Sequence, residues 1–266
     1  MAELLHKEVT GAIIGAYYEV YNLTPRNYPE RIYESAFVDE LRRRGCEAVR
    51  QDEHRIVYKD KLVGVQQLDL FVVQEVVVEN KVAENLTALH KAQARSYLKT
   101  VGKQVGLLFN FGSAKPEFER LYLPTTATIA KPEVAPAEAA ESSPERLYPE
   151  LTFTIIGGLY EVHTVLGPGF IHRIYANACY HELRLRGLAV QPVKRMQVIY
   201  KDTAIGTVAF GHLLVEDKVM VFPAALRQMR SVRLESLKDW MRARGIRLGL
   251  LANFNALRLD IVFIRA

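Results

Sequence analysis

The spacing of apolar positions changes period several times along the first 123 residues, and each change marks an element. Residues 3–22 place apolar side chains at helical spacing, Thr24-Pro25 interrupts them, and Glu30 to Arg44 predicts a second helix ended by Gly45. Residues 47–58, 62–73 and 76–82 are rich in Val, Leu and Ile and predict three strands. Helical spacing returns over 86–100, and Gln104 to Phe111 and Phe118 to Leu123 read as two more strands. The order ααβββαββ predicts an α/β domain, a mixed β-sheet flanked by helices.

The pattern is then written a second time. Ile13-Ile14-Gly15 with Tyr18-Glu19-Val20 returns 142 positions later as Ile155-Ile156-Gly157 with Tyr160-Glu161-Val162. Arg31-Ile32-Tyr33 and Tyr58-Lys59-Asp60 return at the same shift as Arg173-Ile174-Tyr175 and Tyr200-Lys201-Asp202. At a shift of 143, Gly106-Leu107-Leu108 with Asn110-Phe111 returns as Gly249-Leu250-Leu251 with Asn253-Phe254. A register held that long implies a tandem duplication. The expected division is a first domain over 1–123, a linker over 124–146 and a second domain over 147–266. The linker is rich in Pro, Ala, Thr and Glu and lacks apolar periodicity.

Composition narrows the setting. With 266 residues, 49% hydrophobic, the chain is long enough to bury two small cores. No run approaches the roughly 20 apolar residues of a membrane span, so no membrane partner is expected. The N-terminal stretch carries Glu3, Lys7 and Glu8 and reads as an amphipathic helix rather than a signal peptide. Cys46 and Cys179 fall at non-equivalent places in the two copies, which suggests neither a disulfide nor a cysteine metal site. A cytoplasmic location is the resulting expectation.

Candidate chemistry sits on the second and third strands of the first copy. A three-residue turn over Val73, Gln74 and Glu75 sets Asp69 opposite Glu79, and alternation puts Lys81 on the face of Glu79. A two-residue turn would instead set Asp69 against Asn80 and separate the groups. Charged residues near a strand end also suit a solvated edge or a salt bridge. Here, however, they interrupt otherwise apolar strands, where burying unpaired charge is costly. Two carboxylates at one point repel unless a cation lies between them, and hard oxygen ligands suit Mg²⁺ or Mn²⁺.

At these residues the chain resembles the GxxExxY protein family, a group within the PD-(D/E)xK nuclease superfamily. Glu30 and Tyr33 match the family's glutamate and tyrosine, while Asn27 stands in place of its glycine. The resemblance implies two nuclease-like domains and a catalytic set of Glu30, Asp69, Glu79, Lys81, Gln93 and Tyr97, with Glu30, Asp69 and Glu79 as metal ligands for Mg²⁺ or Mn²⁺. Gln93 and Tyr97, four apart on one helix face, match a glutamine-x-x-x-tyrosine motif of the superfamily. They equally suit a surface amide and a core aromatic.

The second copy keeps Gly167-Pro168-Gly169 but carries His172, His212, Phe222 and Ala224 in place of Glu30, Asp69, Glu79 and Lys81. Ser236 and Trp240 replace Gln93 and Tyr97. This copy reads as a degenerate pseudo-domain. It also carries the excess positive charge of a chain whose net charge is +5. Arg227, Arg230, Arg233, Lys238 and Arg242 cluster on the helix and turn after the degenerate hairpin, joined by Arg244 and Arg247. They are candidate nucleic-acid-binding residues, or a solvated helix face partly neutralised by Glu235 and Asp239.

Two functional classes follow. In the first, the N-terminal copy is a Mg-dependent nuclease acting on nucleic acid, DNA ahead of RNA. The C-terminal copy then binds substrate or serves as an intramolecular pseudo-dimer partner, with further homo-oligomerisation open. In the second, the chain is a catalytically inactive nucleic-acid-binding or scaffold protein with the nuclease fold.

Overall fold

The structure, a computed structural model, describes residues 5–73, 75–124, 147–201 and 203–266. Helix α1 spans Lys7–Leu23, and its buried Ile13, Ala16, Tyr17, Val20 and Tyr21 recur every three to four residues. His6, just before it, adopts a left-handed conformation with φ 54°, and residues 3 and 4 of the expected helix lie outside the described residues. Pro25 follows its end and cannot continue it. Helix α2 spans Glu30–Arg43 and buries Tyr33, Phe37, Val38 and Leu41. Gly45, at φ 73°, supplies the left-handed residue that ends it.

Strands β1 (Ala48–Tyr58), β2 (Lys61–Val72) and β3 (Val76–Lys81) follow, then helix α3 (Ala88–Val101) and strands β4 (Val105–Asn110) and β5 (Glu117–Tyr122). The sheet order is β1-β2-β3-β4-β5. Strands β2 and β3 are antiparallel, and β3 and β4 are parallel, as the α3 crossover requires. A capping box starts α3: Thr87 Oγ1 accepts the His90 N–H and His90 Nδ1 accepts the Thr87 N–H, both at 3.2 Å.

The two faces of the sheet have different roles. Leu70, Val72, Val76, Val78, Val105, Leu107 and Phe109 point toward α1 and α2 and form the core with Tyr17, Tyr33 and Phe37. Alternation sends the intervening residues to the other face, where Leu98 of α3 lies over Gly106. Removing a core aromatic such as Phe37 would cost roughly 3–5 kcal/mol.

The second copy repeats this order with α4 (Pro149–Leu166), α5 (His172–Leu185), β6 (Val190–Tyr200), β7 (Thr203–Val215), β8 (Val219–Ala224), α6 (Leu234–Arg242), β9 (Leu248–Asn253) and β10 (Asp260–Arg265). Its sheet order is β10-β9-β8-β7-β6. The expected ααβββαββ α/β architecture, a mixed sheet flanked by helices, therefore holds in both copies. Helix α6 is shorter than α3, for a local reason. Arg230 stands where Thr87 caps α3, so the capping box is lost and the helix starts only at Leu234, after a 3-10 turn over Met229–Ser231.

The chain divides into two compact units whose boundary departs from the sequence repeat at one place. Residues 56–64, the tip of the β1–β2 hairpin, cluster with the second unit rather than the first. Within that unit Ile56, Tyr58 and Val63 are buried. The Tyr58 hydroxyl donates to Glu182 Oε2 at 2.7 Å and Lys59 Nζ to the same oxygen at 2.6 Å, while Arg186 Nε donates to Oε1 at 2.9 Å. Burial opposes the ionised form of Glu182, but these hydrogen bonds outweigh it and hold its carboxyl below the ordinary range. The linker expected over 124–146 falls on residues of which only Pro124 is described. Among the described residues no helix is long and apolar enough to cross a membrane.

Candidate active site

The β2–β3 turn decides whether the acids meet. Leu70 pairs with Val78, Phe71 with Val77 and Val72 with Val76, so three residues separate the paired ends. Val73 takes φ 50° and the Glu75 N–H bonds to the Val72 carbonyl at 3.1 Å. One step further along this register sets Asp69 against Glu79. The Asn80 N–H then donates to Asp69 Oδ2 at 3.0 Å.

Glu79 and Lys81 project to the face covered by α3, and Lys81 Nζ donates to Glu79 Oε1 at 2.5 Å. Glu79 is buried at 4% exposure, and among the described residues its second oxygen, Oε2, has no hydrogen-bond partner. Such a group raises its own proton affinity. Burial, then the neighbouring Asp69 carboxylate, push the Glu79 carboxyl up to about 8, with Lys81 opposing both. Asp69 is also raised by burial, against the pull of Lys81 and of the Asn80 N–H. Burial disfavours the Lys81 cation, but Glu79, Asp69 and Glu30 outweigh it and raise its affinity, keeping it charged.

Glu30 enters from the first turn of α2, where a carboxylate suits the helix dipole. It is half-buried and accepts the Val82 N–H just beyond β3. Burial raises its carboxyl, Lys81 opposes, and Asp69 and Glu34 add to the rise. The structure thus brings Asp69, Glu79 and Lys81 together, with Glu30 within their field. It does not gather the three expected ligands Glu30, Asp69 and Glu79. Among the described residues no group of three or more His, Cys, Asp or Glu side chains is disposed to hold a metal ion. Carboxylates gathered at one point repel one another, and Lys81 is the cation beside Asp69 and Glu79. The donor set nonetheless fits a hard divalent cation. Glu79 Oε2 is a buried oxygen in need of a partner, and its neighbour Asp69 is a second oxygen donor.

Gln93 and Tyr97 lie one turn apart on α3. Gln93 is half-buried, and Tyr97 is buried with Ala94 and Leu98 toward the sheet. Tyr33 has a scaffold role. Its hydroxyl donates to the Pro25 carbonyl at 3.0 Å and accepts the Tyr28 N–H at 3.3 Å, and its ring stacks on Phe111 at 5.0 Å. In the second copy Tyr175 likewise bonds the Gly167 carbonyl and the Phe170 N–H and stacks on Phe254 at 4.7 Å. Asn110 and Asn253 are a second shared device. Each accepts a backbone N–H from the segment leaving the third strand of its copy, Ala83 at 3.1 Å and Leu226 at 2.9 Å.

The corresponding place in the second copy is filled with rings. Phe222 and Trp240 are buried among Met220, Ala224, Leu237 and Met241. The buried His212 meets the Trp240 ring edge-on at 4.4 Å and Phe222 at 5.6 Å. His172 Nε2 accepts the Gly211 N–H at 3.2 Å. Of the five candidate binding cations, Arg227, Arg230, Arg233 and Arg242 are exposed and Lys238 half-buried. They do not all sit on the helix, as α6 begins after Arg233. Lys238 pairs with Glu235 at 2.6 Å and Arg242 with Asp239 at 2.8 Å, so among the described residues the three of these five without an ion pair, Arg227, Arg230 and Arg233, lie before the helix.

Sequence reading missed Glu34, Arg50 and Asn80. Glu34 is buried and accepts from Arg50 Nε at 2.9 Å. Asn80 is fully buried, and among the described residues neither its Oδ1 nor its Nδ2 has a hydrogen-bond partner. The signal available was the repeat itself, which has Ala176, Pro192 and Pro223 at these positions.

Comparison with known proteins supports the duplication independently. The family model of the PD-(D/E)XK nuclease superfamily matches twice, over residues 7–121 and 149–265. No curated protein matches the chain.

Proposed function

Because the chain belongs to the PD-(D/E)XK nuclease superfamily, whose members are in general metal-dependent nucleases, we propose that its first copy hydrolyses phosphodiester bonds in nucleic acid with Mg²⁺ or Mn²⁺. The finer placement in the GxxExxY group, and DNA in preference to RNA, are part of this reading. One observation carries it: a buried carboxyl with an unpartnered oxygen, beside a second carboxyl and a lysine, occurs in the copy that keeps the motif. The other copy holds Phe222, His212 and Ala224 there.

In this reading Asp69 and Glu79 hold the cation and Glu30 closes on it from α2. A divalent cation at that point acts as a Lewis acid and lowers the pKa of a bound water. Lys81 stabilises negative charge developing on the phosphate. Gln93 is a positioning residue and Tyr97 steadies it from α3. The second copy contributes phosphate contacts through Arg227, Arg230 and Arg233, with Lys238 and Arg242 behind them in ion pairs. Pairing of the two copies as a pseudo-dimer, and a cytoplasmic setting, are proposed on the duplication and on the composition.

Calorimetric titration with Mn²⁺ should find one site in the wild type and none in Asp69→Ala, with metal-dependent cleavage of a labelled substrate in the wild type alone. On supercoiled plasmid a single centre should give nicked circles before linear product. Absence of both heat and cleavage would refute the reading. A scaffold or binding module with the same fold is favoured by the ungathered state of the three acids. Oligonucleotide binding without Mn²⁺ heat would support that alternative.

A further inference from the structure

We propose that Arg50, anchored on Glu34, is a phosphate-binding residue that receives the nucleic-acid backbone beside the acid cluster; the assignment rests on the nuclease reading above. Glu34 follows Glu30 by one turn of α2, so both carboxylates lie on one helix face. Glu30 is tied to the end of β3 by the Val82 N–H, and Glu34 reaches β1, where its Oε1 accepts Arg50 Nε at 2.9 Å. The pair is asymmetric. The Glu34 side chain is 9% exposed and that of Arg50 is 38% exposed. Glu34 holds only the Nε edge of the guanidinium, and among the described residues the Nη groups have no acceptor. A planar fork fixed at one edge and open at the other suits bidentate recognition of phosphate.

Holding the buried Glu34 carboxylate needs only the one Nε contact, which leaves the exposed part of the guanidinium to be explained. Charge explains it. Glu30, Glu34, Asp69 and Glu79 place four carboxyls near one end of the sheet, a poor surface for a polyanion, and Arg50 and Lys81 are the cations beside them. The field of Glu34 raises both Glu30 and Asp69, which puts the pair within electrical reach of the site.

The second copy provides an internal control. Glu34 becomes Ala176 and Arg50 becomes Pro192, so both members are lost along with the four acidic and lysine residues of the site. Devices that serve only the scaffold persist. Tyr33 is kept as Tyr175 and Asn110 as Asn253. The helical ion pair of Glu40 with Arg44, at 2.6 Å, is kept as Glu182 with Arg186, at 2.9 Å. A pair retained only where the acids are retained serves what the acids serve.

The test measures binding of a short labelled DNA duplex to the full chain by anisotropy over a range of salt, with Ca²⁺ supplied as an oxygen-seeking cation. Arg50→Ala should weaken binding and make the slope of log affinity against log salt shallower by up to about 0.9, the share of one phosphate contact. Arg50→Lys should keep the slope, because the charge remains. If Arg50→Ala loses its fold by circular dichroism, Arg50→Gln, which can still hydrogen-bond to Glu34, takes its place with the same expectation. Wild-type binding with an unchanged slope in the neutral variant overturns this assignment and leaves the nuclease reading standing. A wild type that binds no duplex overturns both.

Discussion

Replacing Glu79 by Gln should remove a large part of the pH dependence of stability in the metal-free protein. In the folded chain this carboxyl is raised from 4.5 to about 8 by burial and by Asp69. Between those two values the folded state keeps a proton that the unfolded state releases. The contribution is therefore fully present below about pH 4.5 and is lost as pH rises toward 8. Its slope reaches about 1.4 kcal/mol per pH unit, so the whole window is worth roughly 4–5 kcal/mol at most. Lys81 does not titrate in this window, because Glu79 and Asp69 outweigh its burial and raise its affinity. Asp69 and Glu30 are raised as well, so the comparison of wild type with Glu79→Gln, rather than either curve alone, isolates the group. Urea unfolding in chelator at intervals from about pH 5 to 9 provides the assay. Trp240, the single tryptophan, reports the second unit by fluorescence, and the first unit is followed by the part of the far-ultraviolet circular dichroism transition that the Trp240 signal does not share. The wild-type first unit should lose stability steadily over this range and the variant should lose much less. Added Mn²⁺ should restore the wild type at high pH and leave the variant unchanged. Parallel curves for the two proteins would refute the argument that Glu79 is a strained acid awaiting a cation.

Lys81→Ala should reduce cleavage by roughly 10²–10³-fold, the scale of losing one transition-state donor, while circular dichroism shows an intact fold; wild-type turnover would place the active centre elsewhere. Arg230→Ala with Arg233→Ala should flatten the salt dependence of nucleic-acid binding by up to about 0.9 per lost contact. Arg242→Ala alone should change it little, since Asp239 already holds that guanidinium; an equal effect of all three would show that the ion pair does not matter. Tyr58→Phe removes one of three donors from the buried Glu182 and should destabilise the second unit by roughly 1–3 kcal/mol, read from the Trp240 transition; no shift would mean that water replaces the hydroxyl.

Much of this architecture was legible because it is set by local rules. Period and breakers located the described helices and strands to within a few residues. The meeting of Asp69 with Glu79 needed only strand alternation and a turn length. What escaped depends on contacts between elements distant in sequence. The Glu34–Arg50 pair requires α2 to lie against β1, and no spacing in either segment announces it. The basic cluster was placed on a helix and the turn before it, but clustered charges say nothing of where that helix begins. The loss of the Thr87 cap at Arg230 decides that. The assignment of residues 56–64 to the second unit was invisible for the opposite reason: Tyr58-Lys59-Asp60 recurs as Tyr200-Lys201-Asp202, so the repeat hides which copy a hairpin tip serves.

That hairpin tip also sets a timetable for biosynthesis. Tyr58 and its acceptor Glu182 are 124 residues apart in the chain. At about 5–20 residues per second, the tip leaves the ribosome roughly 6–25 s before the helix that will cover it. During that interval Ile56, Tyr58 and Val63, all buried in the finished protein, belong to a unit whose other residues have yet to be made. The nascent first half is thus at its stickiest just before its downstream copy emerges, and a ribosome stalled in the linker would hold it there.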